Sequence, residues 1–259
     1  MEWEDGEDAA SDFCRGCWPA GYSVLAPDLR AHGESGGETV TYGLLEKYDT
    51  LQWVDWLHGQ GCGRVYGMGE SMGASILIMA AGLHPEQHVF QAIIAECAFA
   101  DLLEAAEQRG QALFPLPEPI AAPLAKFSVA GGSLYARFAK GLDFTESSPV
   151  QSIRKLDTPV LLIHGLADTR TPASHSQELA AANPEHTKLW LVLGARHVGS
   201  YTTAPMEYRK TGCWSGLRRV ISRRRQVRLI STRLFRFGRS PDIRRGCEYS
   251  GQPRTRVVR

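Results

Sequence analysis

Long apolar runs are missing from this 259-residue sequence: the longest, residues 75–83 and 92–100, fall short of the 18 or more that a membrane-spanning helix needs. No membrane span is expected. Basic residues are missing from the first dozen positions, where Glu2, Glu4, Asp5, Glu7, Asp8 and Asp12 stand instead, the opposite of the charged front end of a secretory signal. Cysteine is sparse: Cys14, Cys17, Cys62, Cys97, Cys213 and Cys247 are too few for a disulfide framework in a chain of this length. A reducing, cytoplasmic compartment fits that usage. Cys14-Arg15-Gly16-Cys17 is half of a zinc or redox motif, but no second CxxC or paired histidine completes four ligands. No metal is expected.

With 43% apolar and 22% charged residues the chain has the composition of a globular protein able to bury a sizeable core. Its net charge of +1 hides two opposed blocks: residues 1–208 hold 13 Lys and Arg against 26 Asp and Glu, and residues 209–259 hold 16 against 2. The composition breaks near Tyr208. The 209–259 tail has 15 arginines and no sustained helical or alternating pattern, so it reads as disordered. Clustered guanidinium groups can neutralise phosphates. An unselected tail, such as one read in a shifted frame, accounts for the same composition, and nucleic acid is not the expected partner.

Short, nearly continuous apolar runs at residues 22–26, 65–67, 92–95, 159–163 and 189–193 read as strands buried on both faces. Between them, Leu44, Tyr48, Leu51, Val54 and Leu57 recur at helical spacing, residues 72–83 follow, and residues 174–182 run up to Asn183-Pro184 as a stop. Strands alternating with helices predict a mostly parallel α/β sheet with flanking helices. Residues 98–149, with Pro115, Pro117, Pro119 and Pro123 among large apolar side chains, interrupt the alternation as an apolar insertion over one edge of the sheet.

Gly69-Glu70-Ser71-Met72-Gly73 lies between the strand at Val65 and the helix beginning near Met72, the context of a nucleophile elbow. Its glycines permit a turn too sharp for a Cβ, which lifts the Ser71 hydroxyl above the sheet at a helix N-terminus. A serine hydroxyl needs a base, and the base needs a third group to hold it. Both follow in order: Asp168 after the 159–163 strand and His197 after the 189–193 strand, each at the C-terminal strand end where an open parallel sheet places its site. His164, at a strand terminus, reads as structural.

On these residues the chain resembles the α/β-hydrolase superfamily, in the branch of serine aminopeptidases and monoacylglycerol-lipase-like esterases. The resemblance runs from about Gly21 to about Tyr208, with residues 21–35 (GYSVLAPDLRAHGES) similar to the family's fourth strand and its loop. It implies Ser71 as nucleophile, His197 as base, Asp168 as acid, the Met72 amide in the oxyanion hole, and residues 98–149 as a cap shaping an acyl pocket. Some relatives carry the acid after the preceding strand, which keeps Glu96 and Asp101 open as alternatives.

Relatives begin with three further strands. The third lies in mid-sheet between the fourth and fifth, and its His-Gly loop gives the second oxyanion amide. No counterpart precedes Gly21, so the resemblance implies an N-terminally truncated, incomplete α/β-hydrolase fold with a gap in its sheet. The expected function is a serine hydrolase cleaving a small-molecule ester, thioester or amide without a cofactor. The alternatives are a catalytically incomplete fragment or pseudoenzyme and, more weakly, an Arg-tail binder of nucleic acid or anionic surfaces.

Overall fold

The computed structural model describes residues 22–114, 116–209, 211, 227–232 and 255–258. Chain order is β1 (Tyr22–Pro27), α1 (Glu46–Gly59), β2 (Val65–Glu70), α2 (Met72–Leu83), β3 (Ile93–Glu96), α3 (Leu102–Leu113), α4 (Glu118–Lys140), α5 (Pro149–Ile153), β4 (Val160–Gly165), α6 (Ser174–Ala182), β5 (Thr187–Val192), α7 (Ser200–Thr203), α8 (Pro205–Tyr208), β6 (Val227–Thr232) and β7 (Thr255–Val258). The sheet runs β5-β4-β3-β2-β6-β1-β7. All its pairings are parallel except that of β7 with β1.

Side chains alternate across a strand, and here they feed two cores. Leu25, Val65, Ile93, Ala95, Val160 and Leu162 join Trp53 and Leu57 of α1 and most of α2 on one face. Val24, Tyr66, Met68, Ile94, Ile163 and Val192 meet Tyr208 on the other. Parallel strands covered on both faces need this apolar continuity. Helix α2 is buried at every residue from Met72 to Ala81, which fits a helix that is apolar all round. It is the central helix, and its first turn carries the candidate nucleophile. Among the described residues no helix is long and apolar enough to cross a membrane.

Helices α3 and α4 form the insertion between β3 and β4. The sequence reading lays its apolar residues over the sheet edge. In the structure Ile120, Phe127, Leu134 and Phe138 of α4 stay exposed.

The tail differs from its sequence reading at two segments. Val227-Arg228-Leu229-Ile230-Ser231-Thr232 forms β6, parallel to both β1 and β2, with Leu229 in register with Val24 and Tyr66. Thr255–Val258 forms β7 on the outer edge of β1. The expected gap is therefore closed, and the physical reason is that β1 and β2 do not pair with each other directly. Backbone groups buried without partners cost about 1–3 kcal/mol each, so a mid-sheet slot favours any strand-forming run that reaches it. Apart from Arg209 and Thr211, the remaining tail residues, like Cys14 and Cys17, lie outside those described.

Proline removes an amide donor and is excluded from central strands. Leu229→Pro is therefore expected to lower the melting temperature of the full chain by about 10 °C, at 2–4 °C per kcal/mol for a domain of this size. A calorimetric melt identical to the parent's would show that β6 does not hold the slot.

Candidate active site

Ser71 stands between the last residue of β2 and the first of α2 with φ +52° and ψ −121°. A side chain at positive φ is strained by about 1–3 kcal/mol, and the turn exists because Gly69 allows it. A Cβ on Gly69 would come within 2.6 Å of the Gly73 carbonyl carbon and the Ala74 nitrogen, so strand and helix meet backbone to backbone. Glu70 is half-buried at the end of β2. The Ser71 amide donates to the Glu96 carbonyl at 2.7 Å. Met72 opens α2, where the first amides have no partner within the helix.

Asp168 and His197 come from the loops after β4 and β5. The loops touch at Gly165, where a Cβ would lie 2.3 Å from the Ala195 oxygen. His197 Nδ1 lies 2.7 Å from Asp168 Oδ2, and its Nε2 lies 2.9 Å from Ser71 Oγ. Because a carboxylate only accepts, Nδ1 carries the proton and Nε2 is left to accept from the serine hydroxyl. The other Asp168 oxygen accepts the amides of Arg170 at 2.8 Å and Thr171 at 3.0 Å. Burial alone raises the Asp168 pKa, but hydrogen bonds from His164, His197 and Thr171 outweigh it and hold the carboxyl well below the usual carboxylate range.

His164, read as structural, stands behind this acid. Its Nε2 donates to the Thr171 carbonyl at 2.8 Å and lies 3.3 Å from Asp168 Oδ2, while Nδ1 accepts from Ser176 Oγ at 2.6 Å. Its place four residues before Asp168 at a strand end was the signal available for that role. Of the alternative acids, neither meets His197. Asp101 caps α3 through the amides of Leu103 and Glu104. Glu96 is buried and accepts from the Ser200 amide at 3.0 Å and the Tyr208 hydroxyl at 2.8 Å, tying down the segment that follows His197.

Cys97 Sγ, Asp168 and His197 offer ligand atoms within 4.8 Å of one another. Burial pushes the Cys97 thiol up, and Sγ accepts the Val198 amide at 3.3 Å. A thiol held protonated is a poor metal ligand, and the carboxylate and imidazole are already bonded together. A second group, Glu104, His175 and Glu178, has His175 Nε2 on Gln108 Oε1 at 3.1 Å. The arrangement described so far is that of a polarised hydroxyl, suited to acyl transfer.

The chain is 34% identical over 193 residues to the uncharacterized protein YqkD of Bacillus subtilis (strain 168), covering 74% of this chain and 61% of the relative, so it spans about three fifths of that protein's length. The Pyrococcus furiosus esterase Pf2001 superposes with a TM-score of 0.59 at 26% identity, over 79% of this chain and 74% of the esterase. A bromoperoxidase from Bacillus anthracis shares the fold at 18% identity with a TM-score of 0.54, over 81% of this chain and 87% of its own. A family model described as the alpha/beta hydrolase family matches residues 10–210, and with its elbow, sheet and helices the chain belongs to that family.

Proposed function

We propose that the chain is a serine hydrolase that cleaves a small-molecule ester, thioester or amide through an acyl-enzyme. Ser71 Oγ attacks the carbonyl carbon, His197 Nε2 takes its proton and returns it to the leaving group, and Asp168 holds the imidazole in the required tautomer. The Met72 amide, at the N-terminus of α2, stabilises the developing oxyanion. The observation that carries this reading is the unbroken series Ser71 Oγ, His197 Nε2, His197 Nδ1, Asp168 Oδ2, with bonds of 2.9 and 2.7 Å. The likeness to an esterase at 26% identity favours ester over amide. Helices α3 and α4, inserted after β3, are the cap that would shape the acyl pocket. Buried free Cys62 and Cys97 suit a reducing, cytoplasmic setting.

A catalytically incomplete hydrolase is the second reading. It rests on the oxyanion hole, for which only the Met72 donor is assigned among the described residues. One missing donor typically costs about 100- to 1000-fold in rate.

A fluorophosphonate probe is expected to label the full chain, and Ser71→Ala to abolish both labelling and turnover of p-nitrophenyl esters. His197→Ala and Asp168→Asn should each lower kcat by roughly 10⁴-fold. Unchanged hydrolysis in Ser71→Ala would overturn the nucleophile assignment, whereas labelling without turnover in the parent chain would favour the incomplete reading.

The depressed Asp168 pKa sets a direction for acid stability. The folded carboxyl stays ionised where the unfolded one, near pH 3.9, protonates. Its contribution is therefore complete above that value and drains as pH falls further toward the folded pKa. Between pH 4 and pH 2 the melting temperature should fall more steeply for the parent than for Asp168→Asn; parallel slopes would contradict the stated bonding.

A further inference from the structure

Helix α4 packs on α3 and on the 3-10 turn Phe144–Glu146 and buries Ala121 and Ala125 on its inner face. Its outer face is apolar and uncovered: Ile120, Leu124, Phe127, Leu134 and Phe138 are exposed, Phe127 to 80% and Phe138 to 81%. With Gly131 these positions step by four, three, four, three and four residues. That 3.5-residue period marks a narrow helix–helix seam and not the broad apolar arc of a helix lying in lipid. Gly131 needs its own account. It sits in mid-helix, where glycine weakens a helix relative to alanine, and an added Cβ would meet nothing within 4 Å. Among the described residues nothing requires it, as nothing requires its equally open neighbour Gly132, but only Gly131 lies on the seam.

A second copy does. We propose that two chains dimerise by laying α4 antiparallel on α4 across a two-fold axis at the level of Val129. Ile120 then faces the partner's Phe138, Leu124 faces the partner's Leu134, and Phe127 fills the space above the partner's Gly131, with each pairing repeated by symmetry as an isologous interface demands. Parallel pairing would stack Phe127 on its own copy and leave a void at the two glycines. With Tyr135, the exposed parts of these side chains come to roughly 700–800 Å², taking about 200 Å² for a large apolar residue. Covered in full, that would reach the ~800 Å² each partner gives to a standard interface, and it exceeds the ~300–600 Å² patch of an ordinary monomer. The seam is short for a free coiled coil, but α4 is already ordered by α3.

Sedimentation of the full chain should show a concentration-dependent dimer, converted to monomer by Leu134→Glu with the far-ultraviolet circular dichroism unchanged. Phe127→Gly and Gly131→Phe are each expected to weaken association at least tenfold, and the double swap to restore it to within about threefold. Weakening by Gly131→Phe alone followed by recovery in the double swap is specific to antiparallel pairing, because in a parallel pair Gly131→Phe would fill the void at the glycines, and such recovery cannot come from a folding defect. A parent chain monomeric at 100 μM, a dimer indifferent to all three single variants, or a double swap no better than its parts would overturn the proposal. So would a monomer that binds phosphatidylglycerol vesicles through the same residues, since lipid would then be the occupant.

Discussion

Glu96 holds the elbow through its main chain and the histidine segment through its side chain. Its carbonyl takes the Ser71 amide and its carboxylate takes the Ser200 amide and the Tyr208 hydroxyl. Because the residue ends a strand paired on both sides, with β2 and β4, it has little freedom to move. Serine and histidine are thus set from one rigid point, and the 2.9 Å contact between them does not depend on two loops finding each other independently. A buried carboxylate with such partners is a positioning device, because interior hydrogen bonds are costly to break singly.

The rest of the site follows from close backbone approach. Gly69 against the first turn of α2, and Gly165 against the Ala195 carbonyl, leave no room for side chains, so the elbow and the two downstream loops sit nearer one another than ordinary packing allows. Asp168 then occupies a nearly dry position in which amides and two imidazoles outweigh the penalty of burial. Sheet order supplies the common platform, since β2, β3, β4 and β5 are adjacent and parallel and all release their loops at one edge.

The parts of this architecture that were legible in the sequence are local. Ser71 sits in a glycine-bracketed turn between an apolar run and a helical one, and Asp168 and His197 follow further runs, so period, punctuation and order were enough to name the three residues that the structure brings together. Glu96 was visible as a candidate acid, but its partners lie 104 and 112 residues away, and no local pattern marks such a link. β6 was missed for a similar reason. A six-residue run amid arginines becomes a strand because of the slot it enters, and the slot is a property of β1 and β2. The exposed seam of α4 was hidden by the ambiguity of apolar composition, which does not say which surface remains uncovered.

Three non-glycine residues with left-handed backbone surround the site: Ser71, Cys97 and Val198, at φ of +52°, +52° and +56°. They lie on separate segments, after β2, β3 and β5, and one is β-branched. At about 1–3 kcal/mol each, their strain is a sizeable fraction of the ~5–15 kcal/mol that holds a domain together. The surrounding sheet carries that load while it is intact, but the load relaxes as soon as these segments are free to do so. Local opening of the loops around Ser71 and His197 therefore releases strain that the paired strands beneath them do not share.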